Sequence, residues 1–587
     1  MRWALRNAES QDVQRLALET GLPISTARLL AVRGILTAEQ AHKFLTPSLQ
    51  DLHSPGLMTG LRVAVGRLRA AIERGETVLI YGDYDVDGTT AIVILKTAIE
   101  LCGGRTEHHV PHRIREGYGM RDEVIEQAAD RGIRVIISVD TGIRAFAAGE
   151  TAQRRGIDLI VTDHHLPQAN GVPKALAVVN PNQEGCDYPC KSLCGAGVAF
   201  KIAQALLEET GRERLLPSFL KMVAIATIAD AVPLIGENRV FAKLGLEGLR
   251  KPVNAGLRAL LTNCQLDGSR PLSASDIAFR VAPRLNAAGR MDVAEHVIQL
   301  FTEKDATKAA DIALRLNQLN GDRQQEEQRI LEEIQRKIEA SPEMREAYCL
   351  VLEGEGWHRG VIGICATRVV ERYRRPTLIF SCEEGEAHGS GRSIEAFHLL
   401  QALESCPELF SRFGGHAHAV GCSLPVDKIP ELRSRLEAFA RERLTPQDFI
   451  PILHYDAEIS LDDVKHDFWL LLQKLEPFGA GNPVPVFVAR NAKLVQPPRV
   501  LKEKHLKLRV VASDQNSNGS QFQRAYDALG WRMAERVTQE SLLLGSVLDL
   551  AFTVDYNEHP EFGGVQLNLL DFAGAAAAAR TASDTES

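Results

Sequence analysis

The chain has 587 residues, 45% hydrophobic and 25% charged, with a formal net charge of −8. That length exceeds what one hydrophobic core serves, and the composition excludes a disordered or fibrous chain. No run approaches the ~18 apolar residues of a membrane span, and the negative balance argues against a protein that coats nucleic acid by bulk charge, while leaving room for a local basic track.

The opening, Met1-Arg2-Trp3-Ala4-Leu5-Arg6-Asn7, lacks the apolar core of a signal peptide, so a cytoplasmic location is expected. Residues 1–50 read as short helices and turns that lead into the first domain. From ~60 to ~240, strand-like runs alternate with helical stretches such as Glu123 to Arg131 and Phe146 to Arg155, which implies βαβ units and a parallel sheet. Three of these runs end in chemically loaded turns. Val78 to Tyr81 leads into Gly82-Asp83-Tyr84-Asp85-Val86-Asp87-Gly88, Val135 to Val139 into Asp140-Thr141-Gly142, and Leu159 to Thr162 into Asp163-His164-His165. A fourth such element end carries Asp230, which closes the apolar helix-like run from Val223 to Ala229.

Lys304 to Ile338 carries apolar residues at helical spacing, with Gly321 interrupting the pattern. A helix of that length would span roughly 50 Å and suit a connector between domains. Beyond Ser341-Pro342, strands at Tyr348 to Leu352 and Thr377 to Phe380 flank a helix from Val361 to Tyr373. Glycine-rich loops follow at Gly389 to Ser393 and Gly414 to His418. From ~450 to ~572 the chain turns to short β-like runs (Val484 to Val488, Leu506 to Val511, Leu548 to Val554, Val565 to Leu569) with Gly and Pro turns, the pattern of a small β-barrel or sandwich. Gly574 to Ser587 is alanine-rich and then polar, and is expected to fray.

In an open parallel sheet, ligands gather outside the carboxyl ends of the strands. Asp and His there supply oxygen and nitrogen ligands for divalent metals, so metal-assisted hydrolysis is the leading reading. Asp83 to Gly88 begins like a calcium loop, but loop position twelve is Ile94 rather than a bidentate Glu, and Thr89 to Lys96 reads as helix. One Asp would suffice as a helix cap; three carboxylates in five residues repel unless a cation neutralises them. Adjacent histidines tend to point apart. One of His164 and His165 would face a metal, and the other would touch a phosphate or move a proton. A carboxylate at Asp230 is costly unless paired or metal-bound. Cys186, Cys190 and Cys194 lack the second pair of a zinc site and read as core or incidental cysteines. The basic runs Arg113/Arg115, Arg372/Arg374/Arg375 and Lys502/Lys504/Lys507/Arg509 read first as solvated faces.

Tyr81 to Thr90, Val139 to Gly142, Thr162 to His165 and Ala229 to Leu234 resemble the four ordered motifs of the DHH phosphoesterases. More narrowly, the chain resembles the RecJ family of single-strand-specific DNA exonucleases. That likeness runs through Pro111-His112-Arg113 with Glu116 to Gly119, Pro283 to Arg290, and Gly356 to Gly363. Ser390 to Ser393 and Gly414 to His416 resemble the DHH-associated C-terminal domain, and Glu476 to Pro483 the segment leading into the family's OB-fold. The resemblance covers about residues 50 to 572.

It implies an α/β architecture. A parallel-sheet DHH domain (51–300) would follow the lead-in (1–50), with a long connecting helix (301–340), a second α/β domain (341–445), an OB-like β-barrel (446–573) and a tail (574–587). It implies that Asp83, Asp85, Asp140, His164 and Asp230 hold one or two Mn²⁺ or Mg²⁺ ions, with Asp140 bridging. Asp87 and Asp163 would orient those ligands, and His165 would complete the catalytic set by touching the scissile phosphate or assisting the leaving group. The implied activity is 5′-to-3′ removal of mononucleotides from single-stranded DNA with a free 5′ end, in DNA repair and recombination. His112, Arg113, Arg284, Asn286, Arg290, Ser390, Gly391, Arg392, Ser393, Gly415 and His416 would contact substrate. Phe478, Phe487 and the Lys502 to Arg509 run are candidates for the barrel's grip on the strand. A single-stranded-DNA-binding protein and a helicase are the expected partners, with a monomeric enzyme and no membrane. The nearest alternative is a DHH phosphodiesterase of short oligonucleotides or cyclic dinucleotides. Such enzymes resemble only the first two domains, so residues 450 to 572 argue against it. A binding scaffold that has lost its metal ligands would show gaps in the ligand set, and the set here is complete.

Overall fold

The computed structural model of the chain describes residues 1–266, 268–512, 524–557, 559 and 563–574. Beyond Gly574, the tail expected to fray lies outside the described residues. Among these, no helix is long and apolar enough to cross a membrane. The described chain divides into two units, residues 49–451 and residues 1–48 with 452 onward.

Within residues 49–451, the first sheet is parallel throughout. Its order is Arg105–His109, Thr77–Tyr81, Val135–Ser138, Asp158–Thr162, Ala177–Val179. The first two strands in sequence are thus flanked on the other side by the third, which puts the topological switch point between Thr77–Tyr81 and Val135–Ser138. That is where doubly wound sheets bind ligands. Side chains of Thr77–Tyr81 alternate between two cores. Val78 and Ile80 pack with helices Val86–Leu101, Gly195–Glu209 and Leu216–Ala229, while Leu79 and Tyr81 pack with helices Asp122–Asp130 and Phe146–Arg155. Burial on both faces explains why these strands read as continuous apolar runs. Cys186 and Cys194 are buried in the larger core, with Cys190 packed against it, so the cysteine group serves as core.

The connecting helix, Ala306–Ala340, is 35 residues long and unbroken through Gly321. Asp305 caps it by accepting from the backbone N–H of Thr307 and Lys308. Its first half packs Ala313, Leu316 and Leu319 into the core of the parallel sheet, and Ile330, Ile334 and Ile338 join the core of the next domain. That domain holds a five-stranded sheet in the order Arg412–Gly415, Ala419–Pro425, Glu386–Arg392, Thr377–Glu383, Leu350–Glu355, with only the last pair parallel. The glycine-rich stretches expected to be loops are partly strand: Gly389 to Arg392 lies within one strand, Gly414 and Gly415 end another, and His416 to His418 lie in the connection after it. Packing requires glycine at Gly389, where a Cβ would stand 2.3 Å from the Phe380 ring.

In the other unit, a seven-stranded sheet runs Ala457–Glu458, Phe487–Leu494, Val547–Asn557, Gly564–Gly574, Tyr526–Gly530, His505–Val511, Arg499–Leu501, and a further pairing of Phe487–Leu494 with His505–Val511 closes five of these strands into a ring. The N-terminal residues belong to this unit and do not lead into the parallel-sheet domain. Arg2–Leu5 pairs in parallel with Ile452–Tyr455, and Leu16, Leu29, Leu30 and Phe44 share a core with Leu475 and Phe487. Arg28 donates to the Asp456 carbonyl at 2.7 Å, and Arg33 to Asn482 Oδ1 at 2.7 Å. Phe487 is fully buried in that core and Phe478 packs against it, so Phe487 has no face to offer a nucleic acid base.

Candidate metal centre

Asp85 is the N-cap of helix Val86–Leu101 and accepts from Gly88 N at 3.0 Å. One carboxylate oxygen is spent on the cap, and the other remains for a ligand. Asp140 sits at φ +59, a left-handed conformation that Asp tolerates better than most residues. The turn behind it is fixed by Ser138 Oγ donating to Thr141 O at 2.7 Å and Thr162 Oγ1 donating to Ser138 O at 2.6 Å. Gly195 backs Asp140 so closely that a Cβ there would lie 2.5 Å from the Asp140 Cβ.

Ligand-type atoms of Asp83, Asp85 and Asp140 lie within 4.8 Å of one another, as do those of Asp87, His164 and Asp230, and those of Asp140, His164 and His165. Two of these overlapping groups share Asp140, and two share His164. Asp83 Oδ1 and Asp140 Oδ1 are buried without a hydrogen-bond partner. Such orphaned acceptors are rare in a folded interior, and a cation would satisfy them. The electrostatics of the site agree. Burial first, and then the Asp85 charge, push Asp83 well above the ordinary carboxylate range; burial and the charges of Asp87, Asp85 and Asp83 do the same to Asp140. Asp85 is raised by burial and Asp87. Asp230 is pushed up to about 8 by burial and then by Asp87 and Asp85. Burial lowers His164 and so favours the neutral imidazole that ligates metals. The donor set therefore fits a hard divalent ion or a pair of them.

Asp87, whose Oδ2 lies 3.8 Å from His164 Nε2, has a second task. Its two oxygens accept from Gly195 N at 2.6 Å and Ala196 N at 2.8 Å, at the start of helix Gly195–Glu209. Asp163 accepts from the backbone N–H of Ile143, His164 and His165, and bonds His165 Nδ1 at 2.7 Å. Burial alone would raise its pKa, but His165 and those amides hold it low. The same pairing outweighs burial at His165 and raises the imidazole. Asn180 and Asn182 donate to the carbonyls of His165 and His164, at 2.9 and 2.7 Å. Sequence reasoning missed these two, although Asn180-Pro181-Asn182 directly follows a strand, as the three recognised clusters do.

Four of the expected substrate contacts converge on a second feature. Arg113, Arg290, Ser390 and Arg392 line one cavity of about 330 Å³, together with Arg359 of the Gly356 to Gly363 motif. Arg113 also stacks over the Tyr84 ring at 4.8 Å, between the acidic site and this cavity. The backbone of Gly391 is part of the same strand as Ser390 and Arg392. The remaining expected contacts are otherwise engaged. Asn286 Oδ1 accepts from Val86 N at 3.2 Å, Arg284 donates to Asn317 and the Arg280 carbonyl, and Ser393 Oγ donates to the Phe397 carbonyl. His112 Nδ1 accepts from Ile114 N, holding its own loop. Gly415 ends a strand at φ +143 and His416 is exposed beside it, accepting from His418 N at 3.4 Å.

Three family descriptions match the chain: the N-terminal domain of the DHH family at 77–227, the DHHA1 domain at 346–442 and the RecJ OB domain at 455–571. The single-stranded-DNA-specific exonuclease RecJ of Bacillus subtilis is 35% identical over 578 residues, covering 98% of this chain and 71% of that protein. Crystal structures of RecJ from Thermus thermophilus in complex with Mn²⁺ and with Mg²⁺ superpose with TM-scores of 0.81 and 0.76, at 28% and 27% identity. Both cover 97% of this chain, and 79% and 78% of theirs. With identity at that level over nearly its whole length, and with all three domain types in the expected order, the chain belongs to the RecJ family, built on the DHH domain.

Proposed function

We propose that the chain is a metal-dependent exonuclease that hydrolyses single-stranded DNA from its 5′ end to mononucleotides. The observation that carries this is the pairing of two features in one unit: a carboxylate–histidine centre with orphaned buried oxygens, and beside it a cavity lined by Arg113, Arg290, Ser390 and Arg392. The relatives bear the name of single-stranded-DNA-specific exonucleases, and solved RecJ structures contain Mn²⁺ or Mg²⁺.

In this reading Asp83, Asp85, Asp140, His164 and Asp230 would hold one or two Mn²⁺ or Mg²⁺ ions, Asp140 being near both the carboxylate and the histidine members of the set. When bound, the metal supplies an acidified water and neutralises charge on the phosphoryl oxygens. The chain's own residues do the rest. Asp87 anchors the start of helix Gly195–Glu209 against the ligands. Asp163 orients His165, whose raised pKa keeps a proton at hand for the departing 3′ oxygen. The bond from phosphorus to that 3′ oxygen breaks, and the shortened strand keeps a new 5′-phosphate. Arg113, Arg290, Ser390 and Arg392 receive the terminal 5′-phosphate and so set the register of cleavage at one nucleotide. The OB domain holds the strand that follows.

The reading extends, on family resemblance, to a cytoplasmic monomer acting in DNA repair and recombination beside a single-stranded-DNA-binding protein and a helicase. The test is digestion of 5′-labelled and 3′-labelled single-stranded DNA in Mn²⁺ or EDTA. Metal-dependent release of the 5′ label as a mononucleotide is expected. Cleavage of dinucleotides with long DNA left intact would move the enzyme to the small-substrate branch.

A further inference from the structure

We propose a second anion subsite beside the terminal-phosphate cavity, in which Arg359, His388 and Arg412 receive a phosphoryl group lying upstream of the 5′-terminal phosphate. The inference rests on the exonuclease reading, which puts the terminal phosphate at Ser390 and Arg392.

Register dictates the geometry. Ser390 pairs with Gly421, which pairs with Gly414; two residues along, His388 pairs with Ser423, which pairs with Arg412. Alternate residues of a strand share a face. One face of this sheet therefore carries the row Ser390, Gly421, Gly414 and then, about 7 Å further on, the row His388, Ser423, Arg412. A Cβ on Gly414 or Gly421 would meet no atom within 4 Å, so the floor between the rows is bare and open. Above it lies a cavity of about 570 Å³, whose walls include Tyr84, Arg113, Arg359 and Phe413. It shares Arg113, Arg359, Gly360 and Ser390 with the terminal-phosphate cavity, so the two adjoin.

The charge there is poorly neutralised from within. His388 Nδ1 and Arg412 Nε both reach Ser423 Oγ, at 3.0 and 3.3 Å. Arg359 has no hydrogen bond or ion pair among the described residues, and Arg113, stacked on Tyr84, has only the longer-range pull of Asp83 and Asp85. Arginines elsewhere in this domain behave differently: Arg368 pairs with Glu371, Arg433 with Glu353 and Arg435 with Glu408. The carboxylates facing His388 are Glu386, 3.7 Å from Nε2, and the more distant Glu383, both exposed at the rim. Arg359, left without a partner, and Arg412, held only by a hydroxyl, stand along a bare glycine floor, an arrangement suited to an anion that approaches the backbone closely. The spacing of the rows suits a second phosphoryl group on a strand already seated at Ser390. Its source is either the outer phosphates of a 5′-triphosphate end or the phosphodiester of one additional nucleotide.

Full-length protein in EDTA would be titrated against fluorescent single-stranded oligonucleotides ending in 5′-monophosphate or 5′-triphosphate, comparing wild type with the double variant His388→Gln, Arg412→Gln. The readout is the ratio of the two affinities. Wild type is expected to prefer the triphosphate end by about tenfold, and the variant to lose that preference. In Mn²⁺, mass spectrometry of the first product separates the sources. A dinucleotide fraction that the variant loses, with no triphosphate preference in wild type, assigns the subsite to an added nucleotide. Equal effects of the variant on both ends, with no change in product length, would overturn the subsite. Because the binding arm needs no catalysis, a protein that prefers the triphosphate end but cleaves nothing would retain the subsite and lose the exonuclease reading.

Discussion

Nε2 of His164 lies 3.1 Å from Oδ1 of Asp140, yet that oxygen takes part in no hydrogen bond. Burial favours the neutral imidazole, which can turn the Nε2 lone pair toward the space it shares with that oxygen. A cation in that space would be held by both atoms.

The first prediction concerns Asp140→Asn. Asn tolerates the left-handed backbone that Asp140 requires, whereas Ala would add strain. Removing one of several crowded carboxylates relieves their mutual repulsion, so thermal stability in EDTA should hold or rise. If Asp140 holds the metal as proposed, exonuclease activity should fall on the order of a thousandfold. An Asp140→Asn protein with substantial activity would remove Asp140 from the metal site.

Stability of the metal-free protein should depend on pH with a sign opposite to acid denaturation. Asp83, Asp85, Asp140 and Asp230 all have folded pKa values raised above their unfolded values, Asp230 up to about 8. A carboxyl that holds its proton more tightly when folded stabilises the fold at low pH. It loses that contribution as pH rises through the folded pKa. In EDTA the Tm should therefore decline between pH 6 and pH 9, and saturating Mn²⁺ should flatten the decline. Metal affinity should rise over the same interval, since the ion displaces protons. A flat Tm profile in EDTA would show that the carboxyls do not share a repulsive site.

Asp87 is a structural carboxylate beside a chemical one. It satisfies two backbone donors at the start of helix Gly195–Glu209. Asn could accept from one of them but would turn its amide toward the other. Asp87→Asn should cost about 2–3 kcal/mol in chemical denaturation and weaken metal binding by roughly 10–100-fold. Loss of metal affinity with unchanged stability would make Asp87 a direct ligand instead.

Gly195 offers a sharper test of packing against the centre. A Cβ there would stand 2.5 Å from Asp140 Cβ, while a Cβ on Gly197, one turn-position along, meets Leu193 at an ordinary 3.4 Å. Gly195→Ala should displace Asp140 and remove most activity. Gly197→Ala should leave activity intact and slightly stabilise the helix. Equal tolerance of the two would mean the Asp140 turn can yield.

The acidic clusters were legible because each is local: an apolar strand and the turn that follows it announce both the sheet and the site. What escaped reading depends on distant partners. Nothing between Met1 and Ser48 announces that Arg2–Leu5 pairs with Ile452–Tyr455, some 450 residues away. Gly389 and Gly391 look like loop residues by composition, yet they are strand residues made small by the Phe380 ring, Val420 and Leu399. The motif reading also could not separate residues that line the cationic cavity from neighbours that build it. Arg290 and Ser390 line it, whereas Asn286 caps a helix and Ser393 ties a turn. Arg359 was within reach, since it stands in the quoted Gly356 to Gly363 motif, but only the fold brings it beside Arg392.

The connecting helix yields the last prediction. Gly321 weakens the helical pattern in sequence, yet Ala306–Ala340 runs through it without a break, and a Cβ there would meet no atom within 4 Å. Its backbone is helical, so the position exploits none of glycine's conformational freedom. Gly321→Ala should therefore stabilise the unit by about 0.5–1 kcal/mol, chiefly by restricting the unfolded chain. If the helix serves only as a rigid connector, activity on single-stranded DNA should be unchanged. If the two domains it joins must bend about this point to admit or release the strand, the same substitution should lower kcat while raising Tm. Measuring both on one protein decides between a strut and a hinge.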